Sequence, residues 1–445
     1  MSLFSKAKTF RGGVHPSEFK ELTEKVAFEV MPNPKLVILP LKQHIGKDAK
    51  TLVKKGDEVK AGQVIAEPDG FISAPVHSPV SGKVLKITKE KNVSGFPADA
   101  IIIQSAEENE LELMPSLDPE TVTPEEIRER VRLAGLVGQG GAAFPTFVKL
   151  TPPKDKVVDT VILNGCECEP YLTRDDRYMI ERPDDVVSGL KIIMKALGVK
   201  RGSIGIENNK PEAIEIMNRA VANIPEISVD VVQTKYPQGA EKMLIKAVTG
   251  REVPPGKLPM DVGCVIQNIG TAIAIFDAIV KGEPVITAAM TVSGLGIKEP
   301  KNLIVRIGTP LVDILEYCGG VKEEAKKVIV GGPMMGVAQF DFEAPVMKAT
   351  SGILVLLDEE INEPVETPCL RCGMCVDVCP LNLMPTKLAR YAQLGKLDEA
   401  EQLGITVCME CGTCAYTCPA NIPLVQWIRL GKQNVLRLQR ERQSA

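Results

Sequence analysis

No apolar run in the 445 residues approaches the roughly 18 needed to cross a bilayer. Any membrane role is therefore expected to be peripheral. The N-terminal MSLFSKAKTFRGGVHP has no apolar stretch ahead of a small-residue cleavage site. Without a leader, a cytoplasmic and reducing location is expected. Aromatic residues make up only 4% of the chain, with Trp427 the one tryptophan, which argues against stacking platforms for nucleic-acid bases. Positive charge is not in excess either, the formal net charge being -4, so a nucleic-acid-binding surface is not expected. Histidine is limited to His15, His44 and His77, and all three are expected outside the site developed below.

What is present suits several packed units. A hydrophobic content of 44% with 25% charged residues is that of a soluble globular chain. The length implies about three to five units rather than one core. Of the 12 cysteines, eight crowd into residues 369–418. In a long chain from a reducing compartment that crowding points to metal rather than to disulfides.

Residues 31–104 read as short strands punctuated by Gly and Pro. The stretches 53–67 and 73–87 resemble the two halves of a biotinyl/lipoyl-type barrel-sandwich. The connection between them is PDGFI, 68–72, and offers no lysine for modification, so no swinging arm is expected. Thr123-Pro124-Glu125-Glu126 is a helix start with a hydroxyl cap and proline in the first turn. Beyond it, strand signals at 157–163, 203–206, 228–234 and 263–267 alternate with helical stretches at 183–197, 211–222 and 239–248. This alternation predicts a mostly parallel sheet covered on both faces. After Gly282, two or three strands and a short helix suggest a small module. An acidic, proline-bearing linker at 357–368 precedes the cysteine cassette, and a basic amphipathic tail spans 422–442.

In the cassette, Cys369, Cys372, Cys375 and Cys379-Pro380 follow C-x2-C-x2-C-x3-C-P, and Cys408, Cys411, Cys414 and Cys418-Pro419 repeat it. Where two such runs hold two 4Fe-4S clusters, the fourth cysteine of each ligates the other cluster. The expected sets are Cys369, Cys372, Cys375 with Cys418, and Cys408, Cys411, Cys414 with Cys379. Zinc also uses C-x2-C pairs but has no need of the third and fourth cysteines with their proline. The intervening 380–407 is expected to add a helical hairpin.

Two further stretches carry polar chemistry. GLVGQGGAAFPTFVKL, 135–150, places glycines where backbone N–H groups can approach a phosphate, with Lys149 as an added charge. It lacks the strand-first placement of a dinucleotide fingerprint. The strand ending at Leu163 delivers NGCECEPYLTRDDR, 164–177, to the sheet end where open α/β folds bind ligands. Asn164, Glu167 and Glu169 could there be hydrogen-bond partners, or simply part of a capped, solvated loop.

The ordered blocks GGAAFPTFVK, ILNGCECEP, YPQGAEKML and QNIGTA are similar to those of the FMN-binding subunit of respiratory complex I. With a β-rich domain before them and two cluster motifs behind, the whole chain resembles the RnfC family of Rnf-type ion-translocating NADH:ferredoxin oxidoreductases. The resemblance implies a multidomain α/β plus β fold: a barrel-sandwich domain with its N-terminal arm at 1–115, a Rossmann-like FMN/NAD(H) domain at 120–283, a β-grasp-like (SLBB) module at 284–345, and a ferredoxin-like, largely α-helical domain with the tail at 358–445. It implies a non-covalent FMN held by Gly138, Gly140, Gly141, Lys149 and Asn164, with NAD(H) near Phe144, Glu167, Glu169, Tyr236 and Glu241. Gly239 and Asn268 complete the cofactor set. The chain departs from the complex I blocks at Cys166, Ala240 and Gly270, where acids are the rule there. Cys166 and Cys168 read as packing residues rather than added metal ligands.

The expected chemistry is hydride exchange between NAD(H) and FMN, then single-electron transfer through two 4Fe-4S clusters. FMN converts between the two-electron and one-electron steps, and no side chain is needed as a catalytic acid or base. The resemblance implies a peripheral subunit on the cytoplasmic side of a membrane complex, with its other subunits as partners and ferredoxin as an indirect one. Two other readings remain: a flavin/iron-sulfur cobalamin reductase, whose barrel-sandwich portion follows its cluster motifs, and a passive iron-sulfur wire without flavin. For the basic tail, a solvated face is expected rather than a docking surface for acidic partners or lipid.

Overall fold

The computed structural model describes residues 7–361 and 365–444. The first six residues of the N-terminal arm and 362–364 of the acidic linker lie outside the described residues.

Alternating apolar residues build the barrel-sandwich. Val37 and Leu39 in Leu36–Pro40 pair antiparallel with Ile103 and Ile101 in Pro97–Ser105, and all four are buried. Ile38 and Ile102 point the other way into a second small cluster with Ala100, as a period of two requires. Gly82–Lys91 and Glu58–Val59 complete this four-stranded sheet, and Lys50–Thr51, Val64–Glu67 and Val76–His77 form a three-stranded one.

Helix Pro124–Leu133 starts at Thr123, whose hydroxyl accepts from the Glu126 N–H while the Glu126 carboxylate accepts from the Thr123 N–H. The α/β sheet runs in the order Ile227–Val232, Gly202–Glu207, Thr160–Gly165, Cys264–Asn268, and every pairing is parallel. Val161 and Leu163 pack on one face with Val186, Leu190 and Ile193 of helix Pro183–Leu197, and Ile162 on the other with Leu244 and Ile245 of helix Glu241–Thr249. Both faces are covered, as the near-continuous apolar strands predicted.

The stretch 286–320 holds two strands and the short helix Leu311–Tyr317, as expected, and the sheet they start extends beyond it. A six-stranded sheet joins Phe28–Val30, Lys301–Arg306, Thr287–Ser293, Gly352–Leu357, Ala325–Val330 and Val337–Gln339. Thr287–Ser293 is almost wholly buried and needs partners along both edges, which Lys301–Arg306 and, from beyond residue 345, Gly352–Leu357 supply; Phe28–Val30 of the N-terminal arm then caps the outer edge of Lys301–Arg306.

In the cysteine-bearing domain, the helical hairpin expected within 380–407 is Pro385–Gln393 and Leu397–Gln402. The tail is helix Leu424–Ser444, whose Leu424, Ile428 and Val435 pack with Leu388 and Ala400. Its basic residues are exposed or half-buried, in line with a solvated face, and three of them make surface ion pairs. Arg429 and Lys432 both pair with Glu410, and Arg442 with Asp398 and Glu401. The hairpin and the second cysteine loop supply acids at that face, a tertiary match that charge spacing within the tail does not reveal.

Candidate cofactor and cluster sites

After Thr160–Gly165 the chain adds Gly202–Glu207 and Ile227–Val232 on one side of the sheet, then crosses over to place Cys264–Asn268 on the other. Such a reversal opens a crevice at the carboxyl ends of the two strands flanking it. Asn164 and Asn268 are register partners there.

The glycine-rich loop reaches the same crevice. It is closed by a bridge between Val137 and Pro145 and by the Gly138 N–H on the Phe144 carbonyl at 2.9 Å. The Gln139 N–H donates to Thr271 Oγ1 at 3.0 Å, anchoring the loop to helix Ile269–Phe276. Gly140 has φ 76°, and a Cβ there would stand 2.8 Å from Arg174 Nη2 and 3.3 Å from Asn268 Nδ2. Glycine is required on both counts. Around Gly141 the space is open, and Gly140 and Gly141 are exposed.

The expected cofactor residues divide into two groups. Gly138, Gly140, Gly141, Phe144, Asn164, Gly239, Asn268, Lys149 and Glu241 gather around the crevice. Asn164 donates to the Gly239 carbonyl at 2.8 Å, and Asn268 donates to Asp175 at 2.6 Å while accepting from the Gly270 N–H. Lys149 pairs with Glu241 and donates to the Ile266 carbonyl at 3.1 Å, so its charge is already matched.

Glu167, Glu169 and Tyr236 are engaged within the chain. Glu167 accepts from the Asp175 and Asp176 N–H groups, at the start of helix Arg174–Glu181. Glu169 accepts from the Met334 and Met335 N–H groups, each at 3.0 Å. Burial pushes Glu167 up to about 6 and Glu169 up to about 7. Tyr236 is buried in an apolar cluster with Val14 and Cys411, against which Cys168, Met334 and Met409 pack.

Several residues of this region were missed. Arg174, Asp175 and Asp176 fell in the stretch that could have been a solvated loop, yet all three are buried, and Arg174 pairs with Asp175 beneath Gly140. Lys20, from the N-terminal arm, donates to the carbonyls of Glu167, Glu169 and Leu172. Lys210 donates to the Cys166 carbonyl at 2.8 Å and faces Glu207, which burial pushes up to about 7. Nothing in residue spacing marks Lys20, which comes from a distant part of the chain. His44 and His77 belong to the barrel-sandwich, but His15 lines a cleft of about 110 Å³ together with Tyr236, Cys168 and Glu207. It therefore stands beside an expected site residue, contrary to expectation. The Cys166 thiol is buried against the Gly205 carbonyl, and Cys168 accepts the Gly239 N–H at 3.3 Å.

The crevice suits a phosphate-bearing ring cofactor. It has an exposed glycine backbone and two asparagines, and the buried amides of Gln238 in the adjoining loop and Gln267 on the strand below carry donor or acceptor atoms that no protein group satisfies.

Cys379, Cys408, Cys411 and Cys414 line one cavity with Leu383 and Ile428. This is the crossed set expected from the spacing. In the other set, burial and then the neighbouring Cys418 and Cys372 push the Cys375 thiol up. Among the described residues no three His, Cys, Asp or Glu side chains converge tightly enough for a single ion. Backbone N–H groups of Arg371, Leu383 and Glu410 point at Cys369, Cys379 and Cys408 sulfurs at 3.3 to 3.4 Å.

The two cassettes differ in cover. Cys369 and Cys372 are exposed, with Leu370 66% exposed between them. Cys411 and Cys414 are buried at a junction. There the Gly13 N–H donates to the Val378 carbonyl and Val14 exchanges both backbone hydrogen bonds with Tyr236, all at 2.8 Å. A Cβ on Gly412 would stand 3.3 Å from the Met334 carbonyl. The glycine turns at 12–16 and 331–336, with no function legible in the sequence, thus meet at one place.

Four family models match the chain: the RnfC barrel sandwich hybrid domain over residues 8–108, the Nuo51 FMN-binding domain over 131–277, the SLBB domain over 290–338, and a 4Fe-4S dicluster domain over 368–423. Among curated relatives, the RnfC-type component of the proton-translocating ferredoxin:NAD(+) oxidoreductase complex of Clostridium ljungdahlii is 49% identical, over 89% of this chain and 87% of its own length. Its counterpart in the Na(+)-translocating ferredoxin:NAD(+) oxidoreductase complex of Acetobacterium woodii is 46% identical over 97% and 98%. The counterpart in the ion-translocating oxidoreductase complex of Rhodobacter capsulatus is 46% identical over 97% and 84%.

Proposed function

As the chain belongs to the RnfC family of ion-translocating ferredoxin:NAD(+) oxidoreductase complexes, we propose that it is the component of such a complex that exchanges electrons with NAD(H). No helix among the described residues is long and apolar enough to cross a membrane. In this reading the chain works against the other subunits, peripherally and on the cytoplasmic face, where NAD(H) is found. The names of its relatives differ in the ion moved.

FMN, when bound, takes two electrons as hydride and passes them on one at a time, which 4Fe-4S clusters require. The chain's residues supply position. Gly140 and Gly141 would offer backbone N–H groups to a phosphate, the Gly138 N–H being engaged by the Phe144 carbonyl that closes the loop, and Asn164 and Asn268 frame the crevice floor. Phe144, Gly239 and the Lys149–Glu241 pair form its walls. Glu167 and Glu169 act indirectly: one fixes the helix that carries Arg174 and Asp175, the other ties the crevice loop to the Met334 turn. Cys369, Cys372, Cys375 and Cys418 hold one cluster, and Cys408, Cys411, Cys414 and Cys379 the other.

The junction carries this reading. Cys168, hydrogen-bonded to Gly239 of the crevice, packs in the same apolar cluster as Tyr236 and Cys411. The crevice and the buried cassette are thus neighbours, and the exposed cassette lies beyond, open to a partner protein. Barrel-sandwich residues at the N-terminal end of the chain also set it apart from the cobalamin reductase arrangement.

Anaerobic reconstitution with iron, sulfide and FMN, followed by an NADH titration in visible light, tests the proposal. About eight irons, retained flavin, and bleaching of flavin and cluster absorbance together are expected. Iron without flavin, or flavin that NADH does not bleach, would reduce the chain to a passive wire.

A further inference from the structure

At the tip of the barrel-sandwich hairpin, where a carrier domain would present a modified lysine, this chain presents Phe71. The ring is 61% exposed, with Ile45 and Ile72 beside it at 50% and 41%. It stands edge-on to Phe147, with centroids 5.4 Å apart and planes at 81°. Phe147 belongs to helix Thr146–Lys149, which directly follows the glycine-rich loop and carries Lys149 into the crevice.

The hairpin is held there by independent ties. The Ile45 N–H donates to the Ala143 carbonyl at 3.4 Å, and the Lys47 N–H to the Ile72 carbonyl at 3.0 Å. A Cβ at Gly46 would collide with Ile72, so the two segments touch directly. At the base of the loop, the buried Lys348 ammonium donates to the carbonyls of Pro75 and Gly135, each at 2.7 Å. The barrel-sandwich and the glycine loop therefore form one fixed edge. On that edge the Phe71 ring remains in water against Phe147, while the Gly140–Gly141 backbone of the loop that precedes Phe147 is exposed as well. Lys47 lies on the adjoining segment, its side chain 72% exposed and its ammonium 3.8 Å from Asp69 at the hairpin.

A dinucleotide whose nicotinamide lies in the crevice must lead its adenosine half out past this edge. Adenine is a flat π-system that stacks on aromatic rings, and the diphosphate joining the two halves is anionic. We infer that Phe71 is a stacking platform for the adenine of NAD(H), with Lys47 facing the diphosphate. The barrel-sandwich thereby serves as a fixed wall of the dinucleotide site in place of a swinging carrier. The inference rests on the NAD(H) reading above.

The test uses the full chain loaded with FMN and both clusters. Calorimetric titration with ADP-ribose, which lacks nicotinamide, should show binding to the wild type and roughly three- to tenfold weaker binding to Phe71→Ala, the range expected for one aromatic contact. Phe71→Tyr should restore the affinity. Reduced nicotinamide mononucleotide, which lacks adenosine, should bleach the flavin of all three proteins at the same rate, with equal flavin retention. Unchanged ADP-ribose affinity in Phe71→Ala overturns the inference and leaves the NAD(H) reading intact. Equal losses with both half-molecules overturn it too, since the hairpin would then only shape the crevice. A wild type that keeps flavin yet responds to neither half-molecule overturns the NAD(H) reading and this inference together.

Discussion

A carboxylate taken out of water resists ionising, and three such groups lie around the crevice. Burial is the main cause for each, raising Glu167 to about 6 and Glu169 and Glu207 to about 7. An unfolded chain releases these protons near 4.5, so between about 4.5 and 7 the folded state holds more protons than the unfolded one. The stability these groups contribute is complete below the unfolded value and is lost as pH rises through the folded one. For Glu169 alone the loss amounts to up to about 3 kcal/mol. Glu169→Gln should accordingly flatten the decline in urea-unfolding stability between about pH 5 and pH 8; a variant whose profile parallels the wild type would show that Glu169 is not part of it. Residue pattern placed Glu167 and Glu169, though not Glu207, in the loop that leaves the strand Thr160–Gly165. Their hydrogen bonds to the Asp175, Asp176, Met334 and Met335 N–H groups depend on a helix start and a turn that only folding brings near.

Two cassettes of identical spacing occupy unlike surroundings, and an element's role follows from what covers it. Cys369 and Cys372 are exposed, although Cys375 of the same run is buried, whereas Cys411 packs with Val14 of the N-terminal arm and with Met334. Electrons leaving the crevice meet the covered set first. Cys411→Ser should leave flavin bleaching by NADH intact while the remaining cluster stays oxidised. Cys372→Ser should leave the covered cluster reducible, each variant retaining about four irons. Electron paramagnetic resonance after NADH addition distinguishes them, and reduction of the more exposed cluster in Cys411→Ser would refute this order. Ligand identity was readable because C-x2-C-x2-C-x3-C-P is a local constraint. Exposure was not, because the covering residues come from both ends of the intervening chain. The tail helix gives the same lesson, its Arg429, Lys432 and Arg442 pairing at the surface with Glu410, Asp398 and Glu401.

Over the whole molecule, the N-terminal arm connects the parts. It adds the strand Phe28–Val30 to the β-grasp sheet, sends Lys20 under the crevice loop, and lays Gly12 to Val14 across Val378 and Tyr236. Val14 is 7% exposed within the junction cluster, so Val14→Asp would bury an unpaired charge there. Because Val14 packs beside Cys411, the comparison is made on protein whose iron and flavin contents match the wild type, and there stopped-flow reduction of the clusters by NADH should slow by at least about tenfold. Unaltered cluster reduction would mean that electrons cross elsewhere.

The sequence by itself determined what local chemistry can encode: eight thiolates at cluster spacing, apolar strands alternating with helices, a capped helix leading to a glycine loop, and the order of the domains. These follow from residue type and short separation, and they hold in any fold that buries the same apolar faces. Only the tertiary structure decided which cassette is covered, which charges are matched, and that the turns at 12–16 and 331–336 meet beside Cys411. Those outcomes join residues hundreds of positions apart, and the packing of one domain against another selects them.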